Sequence, residues 1–489
     1  MLRLTWLNEC EAGLSKLTSI QISRALDSQE IKINFAGLEN ASASNLHAYS
    51  RLFREFFDRI EHFKFLRNLK LEFKGNFSED ERSSLLRQTQ SLEREILFSL
   101  GSHDDSLLGL QNSFHNLPVS LQNPNWEELE VSKNFSAILM AAGPSIDENW
   151  SLLRDVQDDY LLVCVDAILK KALQNDVQPH IVVSTERGGE GYPFFQSLPH
   201  DLRTIFLGQN TIPRQLFETY PGQKIWAGKL SGFSLWLPFD KNKLIWSGSS
   251  SAHLAYQACC LWGAKSIALV GQDLCYHPET FQSHVDLGGI YEDWSKPREI
   301  DKLVKECSAT WVKGNTFEKV LTQPIWNTFE QDYALMTQSP NPSTFNASRL
   351  GRRIARIPYQ SLETWVESQA PVKVEVKIEP ANAALTAKNA ENLRQSLAQS
   401  RHGLSAAAQR LESLHPRSMD FMKMIDEIIF EDSFLKLVFE LVIAAYAEIS
   451  IREFQGNSTE KMRLDFLDLM KKSIAEVLQL VNQSDALGL

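Results

Sequence analysis

The chain has 489 residues, with 50 basic against 61 acidic side chains (formal net charge −11), 43% hydrophobic residues and 10% aromatics. This excludes intrinsic disorder and, with 23 Gly and 18 Pro, collagen-like or low-complexity chains. The acidity argues against a general binder of nucleic-acid backbones, and about 150 residues per domain predicts roughly three domains.

Near the start, Glu9 and Glu11 interrupt the apolar core that a signal peptide requires, so no leader is expected. Residues 1–125 read as a mainly helical N-terminal domain. Leu52, Phe53, Phe56, Phe57, Ile60, Phe63 and Phe65 recur there at roughly helical spacing, between Arg and Glu. The turn-forming residues Asn116, Pro118, Asn123, Pro124 and Asn125 close the zone. Cys10, Cys164, Cys259, Cys260, Cys275 and Cys307 show no CxxC spacing and are too sparse for a disulfide framework. Buried reduced thiols in a cytoplasmic protein are expected.

Residues 126–370 change character. Apolar runs at Ala137–Ala141, Tyr160–Val165, His180–Ser184, Thr204–Leu207, Leu244–Trp246 and Ser266–Val270 alternate with helical stretches. Strands with few charges between helices predict a parallel sheet covered on both faces, an α/β core. The first run enters Ala142-Gly-Pro-Ser145. Gly143 permits close backbone approach, Pro144 sets the turn and Ser145 is suited to cap the next helix, so a phosphate site and a plain turn are both open. The second run ends at Asp166, suited to a ribose hydroxyl or to a helix cap. The third leads into Thr185-Glu186-Arg187, a polar strand end suited to a ligand or to an internal ion pair. Ser247-Gly-Ser-Ser-Ser251 opens a helix. Its hydroxyls and amides either cradle a carboxylate or phosphate or serve as caps. The run Ser266–Val270 continues into Gly271-Gln-Asp-Leu-Cys-Tyr-His277, with Ser283-His284 beyond. Asp273, His277 and His284 are the acid/base or metal candidates. Their spacing fits no metal motif, so a general base is favoured and no metal ligand is assigned.

Residues 371–489 begin with a β-like run, Val372–Ile378, and Pro380. The stretches Ala381–Arg410, Met422–Arg452 and Lys461–Val481 repeat Leu, Ile and Phe every three or four residues, which predicts a C-terminal helical bundle. It is either a structural cap or a partner-binding or dimerising module. Lys436, Glu440 and Glu448 interrupt the most apolar stretch, Phe434–Ile451, so no membrane-spanning helix is expected.

With these residues placed, about 126–365 resembles the motility-associated-factor (Maf) flagellin glycosyltransferases, whose core is similar to an archaeal pterin-pyrophosphokinase domain. The resemblance rests on the order and spacing of Ala141-Ala-Gly-Pro-Ser145, Asp166-Ala167, Ser184-Thr-Glu-Arg187, Gly248-Ser249 and Val270-Gly-Gln-Asp-Leu-Cys-Tyr276. It continues through Ser283-His284, Val312-Lys-Gly-Asn315 and Val320-Leu-Thr322. The same turn, Ser-Gly helix start and Gly-x-Asp strand also resemble bacterial sialyltransferases that use CMP-activated nonulosonic acids.

The resemblance implies a central Rossmann-like (GT-A-type) parallel sheet flanked by helical regions. It implies transfer of a pseudaminic- or legionaminic-type nonulosonic acid from a CMP donor to Ser/Thr of flagellin, needed for flagellar assembly and motility. By analogy Gly143, Pro144 and Ser145 hold the nucleotide phosphate, and Asp166 lies near the cytidine ribose. Ser247, Gly248 and Ser249 receive the sugar carboxylate or phosphate, and Glu186, Arg187, Gln272 and Tyr276 complete the donor site. His284 is the base for an inverting displacement, with Asp273 and His277 as further catalytic candidates. His277 is retained because the sialyltransferase histidine follows its Gly-x-Asp strand at a longer interval. The expected partners are the CMP donor and flagellin, with no nucleic acid, and the helical flanks suit homo-oligomer contacts. No cofactor is firmly implied. Alternatives are diphosphate transfer to a 6-hydroxymethylpterin-like alcohol, with Mg2+ held by Asp166, Glu186 and Asp273, or a non-catalytic nucleotide-binding scaffold. One departure is the segment Ser348–Arg356, where a Glu-Gly-Gly-rich stretch is expected and four arginines stand instead. They either grip an anionic donor or form a solvated, paired face, of which the second is favoured.

Overall fold

The computed structural model describes residues 3–4, 19–24, 31–36, 69–74, 78–87, 89, 101–236, 244–337, 342–379, 383–431, 436–454 and 458–484. Four N-terminal strands, β1 (Arg3–Leu4), β2 (Ser19–Arg24), β3 (Ile31–Ala36) and β4 (Leu69–Lys74), form a sheet in that order. The pairs β1–β2 and β2–β3 are antiparallel, and β3–β4 is parallel. The described residues of 1–125 thus include a small sheet beside helix, which the expectation of a mainly helical zone did not foresee. In Ile31-Lys-Ile-Asn-Phe35 and Leu69-Lys-Leu-Glu-Phe73 every second residue is apolar, the strand period of two. The aromatic run over 52–65 that suggested helix lies outside the described residues, as does Cys10. Helix occurs in this zone at 79–87, His103–His115 and Leu117–Gln122.

The central sheet explains the buried apolar runs. After β5 (Leu129–Val131) come β6 (Ala137–Met140), β7 (Leu161–Val165), β8 (Ile181–Ser184), β9 (Ile205–Gln209), β10 (Lys224–Lys229), β11 (Leu244–Ile245) and β12 (Ser266–Val270). A hairpin of β13 (Thr310–Lys313) and β14 (Lys319–Thr322) follows, then β15 (Ser343–Asn346) and β16 (Val376–Ile378). Eight strands join in the order β11-β10-β9-β8-β7-β6-β12-β15, and every pairing is parallel. Strands β6, β7, β8, β9 and β12 are buried along their whole length, as required of parallel strands with helices on both faces. The α/β, Rossmann-like expectation is borne out. The chain winds outward from β6 to β11 and then crosses back to lay β12 on the other side of β6. Their carboxyl ends therefore flank a topological switch point, where doubly wound sheets open a crevice.

Two strands of this sheet escape the sequence reading. Strand β10 is framed by Lys224 and Lys229, and β15, Ser343-Thr-Phe-Asn346, is a polar edge strand. The β-like run near residue 375 is real but short, and β16 pairs antiparallel with β5.

The C-terminal zone is helical, as expected, in helices Ala383–Glu412, Phe421–Glu431, Lys436–Phe454 and Glu460–Gln483. The predicted stretch Met422–Arg452 is two helices. The chain groups into two compact units that are each discontinuous in sequence. Met1–Leu107 clusters with Ser400–Gln479, and Leu108–Gln399 with Leu480–Leu489. Among the described residues no helix is long and apolar enough to cross a membrane.

Candidate functional site

The switch point is built by two glycine turns in close contact. The Ala141 amide donates to the Val270 carbonyl and the Gly143 amide to the Gly271 carbonyl, both at 2.8 Å. Gly271 has φ +70°, and a Cβ there would run into the Ala141 carbonyl. A Cβ at Gly143 would collide with the Asp273 carboxylate. The close approach that Gly143 permits is thus to the neighbouring strand end. Asp273 accepts the Ser145 amide at 3.0 Å and the Ser145 hydroxyl, whose oxygen in turn accepts the Leu350 amide at 3.0 Å. Ser145 is fully buried and caps no helix. Pro144 has no N–H. The amide and hydroxyl expected to hold a phosphate are therefore engaged by the chain's own carboxylate. Burial pushes Asp273 up to about 6, against the downward pull of the two Ser145 bonds.

Beside this turn lies a cavity of about 310 Å³. Its wall includes Gly143, Asp166, the 249–252 helix start, the 271–275 turn, His284 and Trp294. Asp166 follows β7, and its carboxylate accepts the Ser184 hydroxyl at 2.6 Å and the Ala167 amide at 2.8 Å. Burial pushes it up to about 6, the hydrogen bonds oppose this, and Glu186 adds a smaller upward push. Glu186 is exposed on the rim and accepts the Gly188 amide at 3.1 Å. The Thr185 amide and hydroxyl both meet the Ser251 hydroxyl, at 3.1 and 3.2 Å. Gln272 lines the wall and is 5% exposed. Its amide N–H donates to Ser348 at 2.8 Å, but its side-chain carbonyl is buried without a partner.

His284 reaches the same cavity from the long loop after β12. Its Nδ1 lies 3.0 Å from the Ser283 hydroxyl, which also lies 3.0 Å from the Trp294 carbonyl. A carbonyl only accepts, so Ser283 spends its proton there and must accept from His284 Nδ1–H. That leaves Nε2 with a lone pair, and no partner for it occurs among the described residues. The ring packs on Trp294 with centroids 4.7 Å apart. Burial, and secondarily Arg298, push His284 down to about 4, so it is neutral at neutral pH.

Other predicted residues lie elsewhere. His277 Nδ1 accepts the Glu279 and Thr280 amides at 3.2 Å and closes its own turn. The Tyr276 hydroxyl donates to Gln323 at 2.9 Å, with its ring against Trp326. Ser247 is buried and accepts from Gln209 Nε2 at 2.7 Å. None of these three lines the cavity. The Arg187 guanidinium packs over Gly109, away from the cavity wall. Gly248 packs on His253, and the Ser249 amide donates to Asp332 at 2.8 Å. Of the donor-site candidates, Gly143, Asp166, Glu186, Ser249 and Gln272 line the cavity together with Asp273 and His284.

The sequence reading missed two structural residues here. His253 is buried, bonded at Nδ1 to Ser250 (2.8 Å) and at Nε2 to the Phe329 carbonyl (3.0 Å), and pushed down to about 4 by burial. Its place inside an apolar helix was the available signal. Trp294 ends a single 3-10 turn, Glu292–Trp294, too short for any periodicity to betray it.

The cavity wall carries Asp166, Glu186, Glu190 and Asp273 and no Lys or Arg. Among the described residues no three His, Cys, Asp or Glu side chains converge to hold a metal ion. The three carboxylates named for magnesium all line this cavity without converging on one point. Of the four arginines over 348–356, Arg349 pairs with exposed Glu148, Nε to Oε2 at 3.0 Å, as a solvated face would. Arg352 is buried, and Arg353 and Arg356 are exposed.

Residues 111–279 match a family model described as MptE-like, 6-hydroxymethylpterin diphosphokinase. The fold is similar to that of the structure of a MAf glycosyltransferase from Magnetospirillum magneticum AMB-1. The TM-score is 0.57 at 14% identity, covering 89% of this chain and 68% of that one. No curated protein matches the chain in sequence.

Proposed function

From the premise of an MptE-like core within the fold of a Maf glycosyltransferase, we propose that this chain is a glycosyltransferase acting at the switch-point cavity. The donor is a CMP-activated nonulosonic acid, and the acceptor is a Ser/Thr hydroxyl of flagellin. The observation that carries the reading is His284, neutral and held in the Nδ1–H tautomer by Ser283, with Nε2 unpartnered beside the cavity. An acceptor hydroxyl gives its proton to Nε2 while its oxygen bonds to the anomeric carbon and CMP departs with the bonding pair, inverting that centre. Asp166 accepts the ribose hydroxyls. The phosphate and sugar carboxylate fall to the backbone amides of Ser250, Ser251 and Ala252, which open helix Ser251–Leu261 on the cavity wall and take the role expected of Ser145.

The match over 111–279 supports a second reading, diphosphate transfer from ATP to a pterin alcohol. That reaction needs a divalent cation, and Asp166, Glu186 and Asp273 on the cavity wall are the carboxylates available to hold it with the nucleotide phosphates. Thermal-shift titration separates the two. Stabilisation by CMP and not by ATP with magnesium supports the transferase, and the reverse result overturns it. The in vivo arm is mass spectrometry of flagellin from a deletion strain, which should lack a nonulosonic-acid mass.

A further inference from the structure

A second concavity, of about 560 Å³, shares no lining residue with the first. Its chemistry is the opposite. Lys313, Arg352, Arg353 and Arg356 line it against a single carboxylate, Glu330. That carboxylate is already engaged, accepting the Ala355 amide at 2.9 Å with Arg352 Nη2 4.0 Å away. Lys313, Arg353 and Arg356 are exposed and form no ion pair among the described residues. In a chain of net charge −11, this is a local excess of positive charge, four cations against the one carboxylate of Glu330 in the groove lining.

The backbone holds the cations in place. The Arg353 amide donates to the Lys313 carbonyl at 2.8 Å, and Gly314 bridges Arg352, so the arginine segment lies along the β13–β14 hairpin. Across that hairpin Lys313 stands directly opposite Lys319, a like-charge pairing that weakens a sheet. Ile354 and Ile357 bridge each other and are buried, which leaves Arg356 at the tip in the left-handed region, φ +64°. Arg352 forms the floor. It is 8% exposed, and Nη1 donates to Asn327 at 2.6 Å, yet its buried Nε–H has no acceptor. An unspent buried donor, a like-charge pair and a strained arginine each cost stability, and an oxyanion in the groove relieves the charge repulsion.

We propose that this groove is a binding site for a small molecule bearing phosphate or carboxylate groups, a sugar or nucleotide in size, separate from the switch-point cavity. The volume suits one such ligand, and guanidinium forks match oxyanions in pairs. The proposal does not depend on the transferase reading, because its test measures binding alone. Inorganic pyrophosphate and N-acetylneuraminate are titrated separately by calorimetry into the full-length protein and into Arg353→Ala/Arg356→Ala. At least one probe is expected to bind the parent protein and to weaken about tenfold or more in the variant. Both arginines are exposed, so the melting temperature should be unchanged; if it falls, Lys313→Ala supplies the same comparison. Binding of pyrophosphate alone identifies a phosphate ligand, and of N-acetylneuraminate alone a carboxylated sugar. Absence of binding by either probe up to about 10 mM, or equal affinity in the variant, overturns the proposal.

Discussion

His284 is made a candidate base by its neighbours. Ser283 donates its hydroxyl hydrogen bond to the Trp294 carbonyl and so fixes the imidazole tautomer, while tilted packing on Trp294 holds the ring. His284→Ala should cut transfer by about 10²–10⁴-fold and leave CMP affinity unchanged. Retention of full activity would remove His284 from the chemistry. Ser145 makes a contrasting case. Motif order places it on the donor phosphate, but its hydroxyl bridges the Asp273 carboxylate and the Leu350 amide. Ser145→Ala should lower stability by about 1–3 kcal/mol in urea titration while donor affinity is retained. A large loss of donor affinity with stability intact would restore the phosphate role.

At the scale of elements, the decisive feature is the contact between the ends of β6 and β12. Gly271 adopts a left-handed conformation that brings it against the Ala141 carbonyl, so a methyl group there meets both strain and a clash. Gly271→Ala should destabilise the fold by about 2 kcal/mol or more, read as a lowered urea midpoint. A midpoint within error of the parent would show that the turn relaxes freely. Most strands of this sheet were legible, because burial on both faces demands unbroken apolar runs such as Leu161–Val165. Strands β10 and β15 were not. One is bracketed by lysines and the other, at an edge, tolerates polar residues. The N-terminal sheet was not foreseen, although Ile31–Phe35 and Leu69–Phe73 alternate with the strand period.

At the scale of the molecule, buried titratable groups pull stability in opposite directions with pH. His180, His253 and His284 sit near 4 in the folded chain, below the ordinary 6.5. The unfolded state therefore binds more protons between those values, and stability is lost as pH falls from about 6.5 towards 4. Asp166 and Asp273 are raised from 3.8 to about 6, so their contribution is full below 3.8 and is lost as pH rises through 6. With three histidines against two aspartates, these groups together make the urea midpoint climb between about pH 4 and 6.5. His253→Phe should flatten that climb, and an unchanged slope would assign the acid sensitivity to other groups.

The sequence by itself determined the α/β class, the winding of strands and helices through the middle of the chain, and the helical C-terminal zone. Each rests on periodicity and burial, which act locally and leave a pattern along the chain. It also marked the strand ends where polar residues gather. Only the tertiary structure decided how those residues are used. Hydrogen bonds between segments far apart in the chain give Ser145 to Asp273, 128 residues on, and set the Arg352 amide on the Asp273 carbonyl. The opening charge count is likewise resolved in space. The switch-point cavity is lined by carboxylates without a cation, and Lys313, Arg352, Arg353 and Arg356 collect in a groove of their own. A net charge records how many groups there are, and folding decides which of them face one another.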